Sequence, residues 1–203
     1  MEFKQLTVTD AEQFLELIKN MYEHLENQEW FSPMPLDIES IKGMIEKPRF
    51  FIVGAFENDK LCGVSSIDYK CGKLVGKVDF PKCCDTDKMV EIAFNIVHSE
   101  ARGKGLMSKM VDFLLKKLKQ DGFTCAFAKV NKDNFASSKS LQKLGFQPFA
   151  KLDKPVDINA FRFIAEQPFF NEVGKRNAEI SLSKCKPEDV EFYVDYILYY
   201  TML

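Results

Sequence analysis

The chain has 203 residues, of which 46% are apolar and 19 are phenylalanine, enough for one sizeable core and inconsistent with a disordered chain. A formal net charge of -2, with basic residues spread along the sequence, gives no electrostatic reason to expect a nucleic-acid partner.

The first part of the chain predicts a strand and two helices. A strand is expected over residues 3–8, and a capping-box pattern at residues 9–12 then opens a helix whose apolar residues recur at helical spacing. Asp37 is placed to cap a second, shorter helix. The connection between the two helices carries Trp30 and Phe31, and its two prolines exclude regular helix there.

A hairpin and a central strand follow. Residues 50–56 and 61–69 are apolar and β-prone, and a short polar turn joins them. Residues 71–88 are polar and are expected to form a long loop or an irregular hairpin. Residues 91–97 are typical of a buried strand with one acid at its start, and residues 105–120 of an amphipathic helix.

The next part predicts a strand, a helix and a further hairpin. Residues 123–130 are expected to be a strand, and a turn-and-cap cluster leads from it into a helix that ends at Leu144. Residues 146–152 and 158–165 are interpreted as an antiparallel pair. This order of elements indicates a mixed α/β fold of the α+β type, without the regular alternation of a doubly wound sheet.

The C-terminal segment predicts a strand over residues 179–183 and a helix whose apolar stripe runs from Val190 to Leu198. Its layout resembles that of the N-terminal strand and helix, by chance, by partial duplication or as the start of a second domain. We therefore divide the chain into a domain at residues 1–170 and an extension at residues 171–203. The extension is expected to pack on the domain or on a second copy of the chain, as in a homodimer.

The turn Arg102-Gly103-Lys104-Gly105 joins the central strand to the amphipathic helix. Glycines let the backbone approach a phosphate, and the first amides of a helix favour negative charge there. The same glycines would also serve a merely tight turn, and these residues alone do not choose between the two interpretations. The turn is not a P-loop, and it is not a dinucleotide fingerprint, because Ser108 occupies the third glycine position.

Several other kinds of site have little support. The six cysteines are scattered, and Cys83 and Cys84 are adjacent, so we expect reduced thiols and no metal. With only His24 and His98, a histidine-dependent nucleophile is disfavoured, and His98 is interpreted as a loop histidine rather than a catalytic one. No apolar run is long enough to span a bilayer, and no signal peptide is evident, so we expect a cytoplasmic protein without a membrane partner.

Two motifs occur at a characteristic spacing in the second half of the chain. The first is an Arg/Gln-x-x-Gly-x-Gly/Ala pattern, to which the turn contributes Arg102 and Gly105, with Met107 in the small-residue position. The second consists of Asn134, Ser137, Lys143, Leu144, Gly145 and Phe146. Together, over residues 89–150, they resemble the acyl-CoA-binding half of the GCN5-related N-acetyltransferase (GNAT) family.

The resemblance implies a mixed, mostly antiparallel central sheet with helices on both faces and a V-shaped splay between two parallel strands. The pyrophosphate of coenzyme A would lie on the amides of the turn, and the pantetheine arm along the central strand. Acetyl-CoA would be the co-substrate, and no metal is needed because a thioester is already activated. The implied cofactor contacts are Ile96, Val97, Arg102, Gly103, Lys104, Gly105, Leu106, Met107, Ser108, Asn134, Ser137 and Lys143.

The resemblance also implies direct attack of an amine on the thioester. This reaction needs a base, a donor to the thioester oxygen and a proton for the leaving thiolate. Glu91 resembles the strand glutamate that deprotonates the amine through water in the histone-acetylating branch; the alternative is an acid satisfied by a neighbouring residue. Many members place a tyrosine as the thiolate acid where this chain has Leu141. Met107 is expected to face the core.

We therefore predict an N-acetyltransferase that acts on a primary amine of a small molecule or peptide. The alternative is a catalytically weak or silent acyl-CoA-binding or sensing module, which Leu141 favours and Glu91 disfavours. Trp30 and Phe31 are candidates for the acceptor wall, although core packing accounts for such aromatic residues at least as well. The same two interpretations apply to the later phenylalanines Phe161, Phe163, Phe169 and Phe170.

Overall fold

The structure is a computed structural model that describes residues 1–27, 30–31, 33–70, 78–166, 183 and 191–203. Within these residues, one seven-stranded sheet has helices on both faces. The strands are β1 (Glu2–Gln5), β2 (Phe50–Glu57), β3 (Lys60–Asp68), β4 (Met89–Val97), β5 (Cys125–Asn131), β6 (Gln147–Asp157) and β7 (Glu191–Met202). The helices are α1 (Ala11–Glu23), α2 (Ile38–Glu46), α3 (Leu106–Gln120), α4 (Phe135–Gln142) and α5 (Ile158–Ala165).

Different helices cover the two faces of the sheet, because consecutive strand residues point to opposite sides. Ile52 packs in a core with α1 and α2, whereas its neighbour Val53 packs in a core with α3. A third, smaller cluster around Phe127 contains side chains of β4, β5 and β7 together with Cys84. The predicted arrangement of a mixed sheet with helices on both faces is confirmed.

The strands lie in the order β1-β2-β3-β4-β5-β7-β6, and every neighbouring pair is antiparallel except β4 with β5. Within the described residues, these two parallel strands pair over residues 89–91 and 125–127. Beyond the pair formed by Glu91 and Phe127, β4 continues beside β3 while β5 continues beside β7. The two strands therefore part, and the predicted V-shaped splay is confirmed.

A β-bulge in β4 changes which face its side chains occupy. Between two registered pairs, a step of two residues along β3 matches a step of three residues along β4. Ile92 consequently packs in the α3 core, while Phe94 packs against the core of α1 and α2. The backbone amide of Phe94 donates to the hydroxyl of Ser66 at 3.2 Å, which satisfies a donor within the irregular stretch of the ladder.

The capping interaction before α1 lies two residues earlier than predicted. Thr7 donates its backbone N–H and its hydroxyl to Asp10 Oδ2, at 2.8 and 2.9 Å. This contact holds residues 8–10 in a 3-10 turn, so β1 ends at Gln5 and not at residue 8. Asp37 caps α2 as predicted, since its Oδ1 accepts from the amide of Ser40 at 2.8 Å.

The strand predicted over residues 158–165 is wrong, because this segment is the helix α5. β6 extends to Asp157, and its partner is β7 rather than the segment that follows it. A short apolar run is compatible with either a buried strand or a helix. Because β6 pairs with β7, residues 158–165 are not its strand partner, and they form a helix instead.

The helix predicted from Val190 to Leu198 is also wrong, since Glu191–Met202 form the strand β7. β7 lies between β5 and β6 and pairs with both. Backbone pairing on two sides outweighs a weak helical periodicity. The segment also contains four tyrosines, a residue type that favours strands. Except for residue 183, the strand predicted over residues 179–183 lies outside the described residues, as do the boundary after residue 170 and loop residues 71–77.

Candidate active site

The turn between β4 and α3 depends on two glycines in the left-handed region. Gly103 has a φ of +76° and Gly105 a φ of +70°, which residues with a side chain rarely adopt. A Cβ atom built at either position would meet no other atom within 4 Å. The backbone conformation therefore requires these glycines, and the space beside them is open to a ligand.

The first amides of α3 point out of the helix at this turn. The first hydrogen bond of the helix joins Lys109 N to Gly105 O at 3.2 Å, so the amides of Leu106, Met107 and Ser108 have no partner inside the helix. The Met107 side chain packs on the α3 core, the orientation expected from the sequence. The turn thus presents backbone N–H groups and the positive end of the helix dipole to an anion.

Arg102 fastens the turn to two neighbouring elements. Its Nη1 donates to the carbonyl of His24 at the end of α1, at 2.9 Å, and its Nε donates to the carbonyl of Val97 at the end of β4, at 3.3 Å. Partial burial lowers the pKa of Arg102, which the charge of Glu26 partly offsets. In the structure the guanidinium makes these backbone contacts, and both Arg102 and Lys104 are exposed.

Asn20 is a residue of the site that the sequence reasoning missed. Its Oδ1 accepts from the amide of Ser99 at 2.9 Å, and its Nδ2 donates to the Ser99 hydroxyl at 3.2 Å. His98 caps the same short 3-10 turn through its Nδ1, which accepts from the amide of Glu100 at 3.3 Å. Burial lowers the pKa of His98 and favours the neutral ring that this cap requires. No spacing in the sequence pointed to Asn20, because it acts on a turn far along the chain.

The second motif forms the start and the end of α4. Asn134 caps the helix, since its Oδ1 accepts from the amide of Ser137 at 3.1 Å. Lys143 follows the last residue of α4 and is exposed. Leu141 is only 1% exposed and packs in the α3 core, so its position carries no group able to transfer a proton.

The other two cofactor residues on β4 lie in the part of the strand that has separated from β5. Ile96 pairs with Val64 and Val97 with Gly63, both on β3. The Ile96 side chain is buried in the core of α1 and α2, while Val97 is partly buried against the α3 core. Both side chains pack in the cores, so at these two residues β4 presents its backbone to the splay, close to the glycine turn.

Glu91 lies at the last paired position of β4 before the splay. Its side chain is 8% exposed, and its Oε1 is 2.8 Å from the Nζ of Lys129 on β5. Lys129 was also missed, although a single cation within the apolar strand predicted over residues 123–130 was a usable signal. In general, an adjacent ammonium favours the anionic form of a carboxylate, which is the form that can accept a proton.

A second ion pair lies beside the first. Asp68 on β3 pairs in register with Glu91, and both are buried. Arg49 holds Asp68 through two hydrogen bonds, one of them from Nε to Oδ1 at 2.8 Å. The hydrogen bond that Arg49 donates to Asp68 raises the pKa of Arg49. Each buried acid therefore has a nearby cation, and the four side chains have no net charge.

Trp30 and Phe31 lie in the connection between α1 and α2, partly buried against that core. Tyr22 holds this connection, because its hydroxyl accepts from the amide of Met34 at 2.8 Å; burial raises the pKa of Tyr22. The Trp30 indole N–H is buried, and no hydrogen-bond partner for it is found in the described part of the chain. Phe163 is exposed, and the side chains of the other three later phenylalanines lie outside the described residues.

Two features are absent from the described residues. No helix among them is long and apolar enough to cross a membrane. Nor does the described part of the chain contain three or more His, Cys, Asp or Glu side chains grouped so that they could hold a metal ion.

The comparisons with known proteins agree with this geometry. The model of the acetyltransferase (GNAT) family matches residues 11–146 of the chain. A comparison with curated protein sequences gives no significant match.

Three solved structures with a similar fold are distant in sequence from this chain. A ribosomal-protein-alanine N-acetyltransferase from Brucella melitensis has a TM-score of 0.65 and 15% identity, with 100% of both chains covered. An N-acetyltransferase from Staphylococcus aureus Mu50 has a TM-score of 0.65 and 16% identity, covering 99% of this chain and 97% of the other. The yncA protein of Salmonella typhimurium, solved with its cofactor acetyl-CoA, has a TM-score of 0.64 and 16% identity, covering 100% and 94%.

Proposed function

The chain belongs to the acetyltransferase (GNAT) family and is an acyltransferase, and on that premise we propose that it transfers an acetyl group from acetyl-CoA to a primary amine of a small molecule or peptide. The observation that carries the proposal is the splay beyond Glu91 and Phe127, which opens beside the glycine turn and the N-terminus of α3. A strand edge for the pantetheine arm thus lies next to an anion site for the pyrophosphate of an acyl-CoA.

Acetyl-CoA fits the residues at the turn. Its pyrophosphate needs backbone amides, open space and a favourable dipole, and residues 103–108 offer all three. The backbone of Ile96 and Val97 offers hydrogen bonds to the pantetheine arm. Lys104 and Lys143 are exposed and available to the phosphates, while Asn134 and Ser137 shape the adjoining helix terminus.

Glu91 supplies the base in this proposal. An amine attacks a thioester only in its neutral form, so a proton must leave the acceptor before or during attack. Glu91 lies where the strands part, and Lys129 at 2.8 Å orients its carboxylate. The backbone of β4 after the bulge is our candidate donor to the thioester oxygen.

The acceptor is expected to enter on the side of α1 and α2. Trp30 and Phe31 are partly buried there and are our candidates for the acceptor wall. One structural neighbour is named for acetylating an alanine of a ribosomal protein, so a peptide amino terminus is one acceptor class to test.

The test measures two quantities. Calorimetry with acetyl-CoA reports binding, and a thiol assay reports CoA release with spermidine, with a peptide that begins with alanine and with a peptide that contains lysine. Release that depends on the amine supports the enzyme. Binding without release over a broad amine panel supports the second candidate, a silent acyl-CoA-binding module, which the burial of Leu141 favours. Absence of binding contradicts both.

A further inference from the structure

The Glu91–Lys129 pair has a property that core packing does not explain. Lys129 lies on β5 between Ala128 and Val130, both buried, yet its own side chain is 23% exposed. Its Nζ is 2.8 Å from Glu91 Oε1. Desolvating two charges is costly, and apolar residues of similar volume often serve stability as well or better. A cation kept in this strand therefore suggests a task beyond folding.

The pair lies at the closed end of the splay. Glu91 and Phe127 form the last registered pair of the parallel strands, and Lys129 is two residues further along β5 on the same face. Asp68, the neighbouring acid, has its own cation in Arg49 and does not require Lys129. Lys129 is therefore the ammonium that lies where β4 and β5 separate, beside the acid that would act on the amine.

We propose that Lys129 protonates the thiolate that leaves when the acetyl group is transferred, and that it works with Glu91 as one acid–base pair. This proposal rests on the proposed function, because it concerns the same thioester. The position of Leu141 offers no proton, since its side chain is apolar and buried. Lys129 would be a catalytic residue in this scheme, because the proposal requires its Nζ to donate directly to the sulfur.

The proton balance of the step is complete without a further reactant. The amine nitrogen forms a bond to the carbonyl carbon, and Glu91 accepts the proton that the nitrogen loses. The carbon–sulfur bond breaks with its electron pair on sulfur, and Lys129 donates a proton to that sulfur. Glu91 then passes its proton to Lys129 across the 2.8 Å contact, which restores the carboxylate and the ammonium. The net products are the acetylated amine and CoA.

The test uses CoA itself and needs no acceptor. An ammonium close to the sulfur stabilises the thiolate, so the pKa of bound CoA thiol should be below that of free CoA. CoA labelled with ¹³C at the carbon that bears sulfur reports this titration by NMR. In the Lys129→Met variant the pKa of the bound thiol should rise by about one unit or more. Calorimetry in parallel should show CoA affinity unchanged within a few-fold.

Control variants distinguish the effect of the Lys129 ammonium on the thiol pKa from other effects of the substitution. Lys132→Met removes an exposed lysine beyond the end of β5 that pairs with Asp195, and the thiol pKa should not move. Lys129→Arg keeps a cation at this position, so the pKa of the bound CoA thiol should stay below that of free CoA. Because Lys129→Met removes the cation that pairs with Glu91, the Glu91→Gln variant is also compared with the Glu91→Gln/Lys129→Met double variant. Neither of these two proteins carries a carboxylate at position 91.

Other groups near the pair define the competing explanations. Lys129 pairs with Glu91, and Asp68, which is held by Arg49, is in register with Glu91 on β3. Tyr196 of β7 lies on the same face of the sheet as Lys129. A thiol pKa that is equal in wild type and Lys129→Met, with CoA bound to both, overturns the proposal. So does a pKa that rises in Tyr196→Phe but not in Lys129→Met. Failure of the wild type to bind CoA would overturn the proposed function together with this one.

Discussion

Glu91 and Asp68 are buried acids in register on neighbouring strands, an arrangement that like charges disfavour. The structure tolerates it because Lys129 and Arg49 approach one acid each. Removing one partner of a buried ion pair typically costs about 3–5 kcal/mol, since the remaining charge is left without compensation. At the scale of single residues, the site therefore depends on cations that stabilise its acids as well as on the acids themselves.

Replacing the base should affect turnover rather than binding. Glu91→Gln removes the only proton-accepting form of this side chain, so kcat should fall by roughly 10²- to 10⁴-fold while the affinity for acetyl-CoA is unchanged. Steady-state CoA release at several pH values and calorimetry provide the two measurements. Glu57→Gln, at the exposed end of β2, is the matched control. Equal rates for Glu91→Gln and wild type across the pH range would remove Glu91 from the mechanism.

At the scale of elements, the N-terminus of α3 is positioned from two sides. Its own turn provides left-handed glycines at positions 103 and 105, while α1 holds the preceding segment through Asn20 and through the carbonyl of His24. An anion site made of amides works only where those amides are fixed in direction. The end of α1 therefore contributes to the cofactor site although it belongs to the opposite face of the sheet.

A substitution at Gly105 should damage the turn through backbone conformation and not through crowding. Gly105→Val forces a β-branched residue to a φ near +70°, at a cost of about 1–3 kcal/mol, and acetyl-CoA binding should fall below calorimetric detection while the fold persists. Gly43 in α2 also has no atom within 4 Å of an added Cβ, so Gly43→Ala is the control, with an expected gain of about 0.5–1 kcal/mol. Unchanged affinity in Gly105→Val would contradict the phosphate site.

The link from α1 can be tested through Asn20. Asn20→Ala removes two hydrogen bonds and leaves the Ser99 amide without its partner, so the free energy of unfolding should fall by about 1–3 kcal/mol. Affinity for acetyl-CoA should weaken as well, because the turn loses a support. Urea unfolding and calorimetry measure these effects, with Lys19→Ala on the same helix as the comparison. A stability loss without any change in affinity would show that α1 does not position the turn.

At the scale of the whole molecule, β7 makes the end of the chain part of the central sheet. It pairs with β5 on one side and with β6 on the other, so the last residues connect the splayed strand to the sheet edge. β5 parts from β4 at the splay and pairs with β7 over its whole length, residues 125–131. β7, the last strand in the sequence, therefore helps to hold β5 apart from β4 and so to keep open the splay that would receive the cofactor.

A buried side chain of β7 should matter to the stability of the entire protein. Leu198 is fully buried, so Leu198→Ala should cost about 2–5 kcal/mol, whereas Met202→Ala at a 48% exposed position should be close to neutral. Urea unfolding followed by fluorescence and by circular dichroism should show one transition, shifted as a whole. Two separate transitions, with only the smaller one sensitive to Leu198→Ala, would show that β7 unfolds independently of the sheet.

The sequence by itself determined the features that depend on neighbours along the chain. The hairpin, the central strand, the glycine turn and the cap at Asn134 follow from local periodicity and backbone chemistry, and two motifs at fixed spacing were enough to indicate the family. Residues 158–165 and the last strand were predicted wrongly, because their local patterns are compatible with both helix and strand. Pairing with strands far away in the sequence determined whether these segments became helix or strand. Folding also brought Lys129 next to Glu91 and Asn20 next to Ser99, which are far apart along the chain. Only the tertiary structure could decide these features, since each depends on groups that folding brings together from separate parts of the chain.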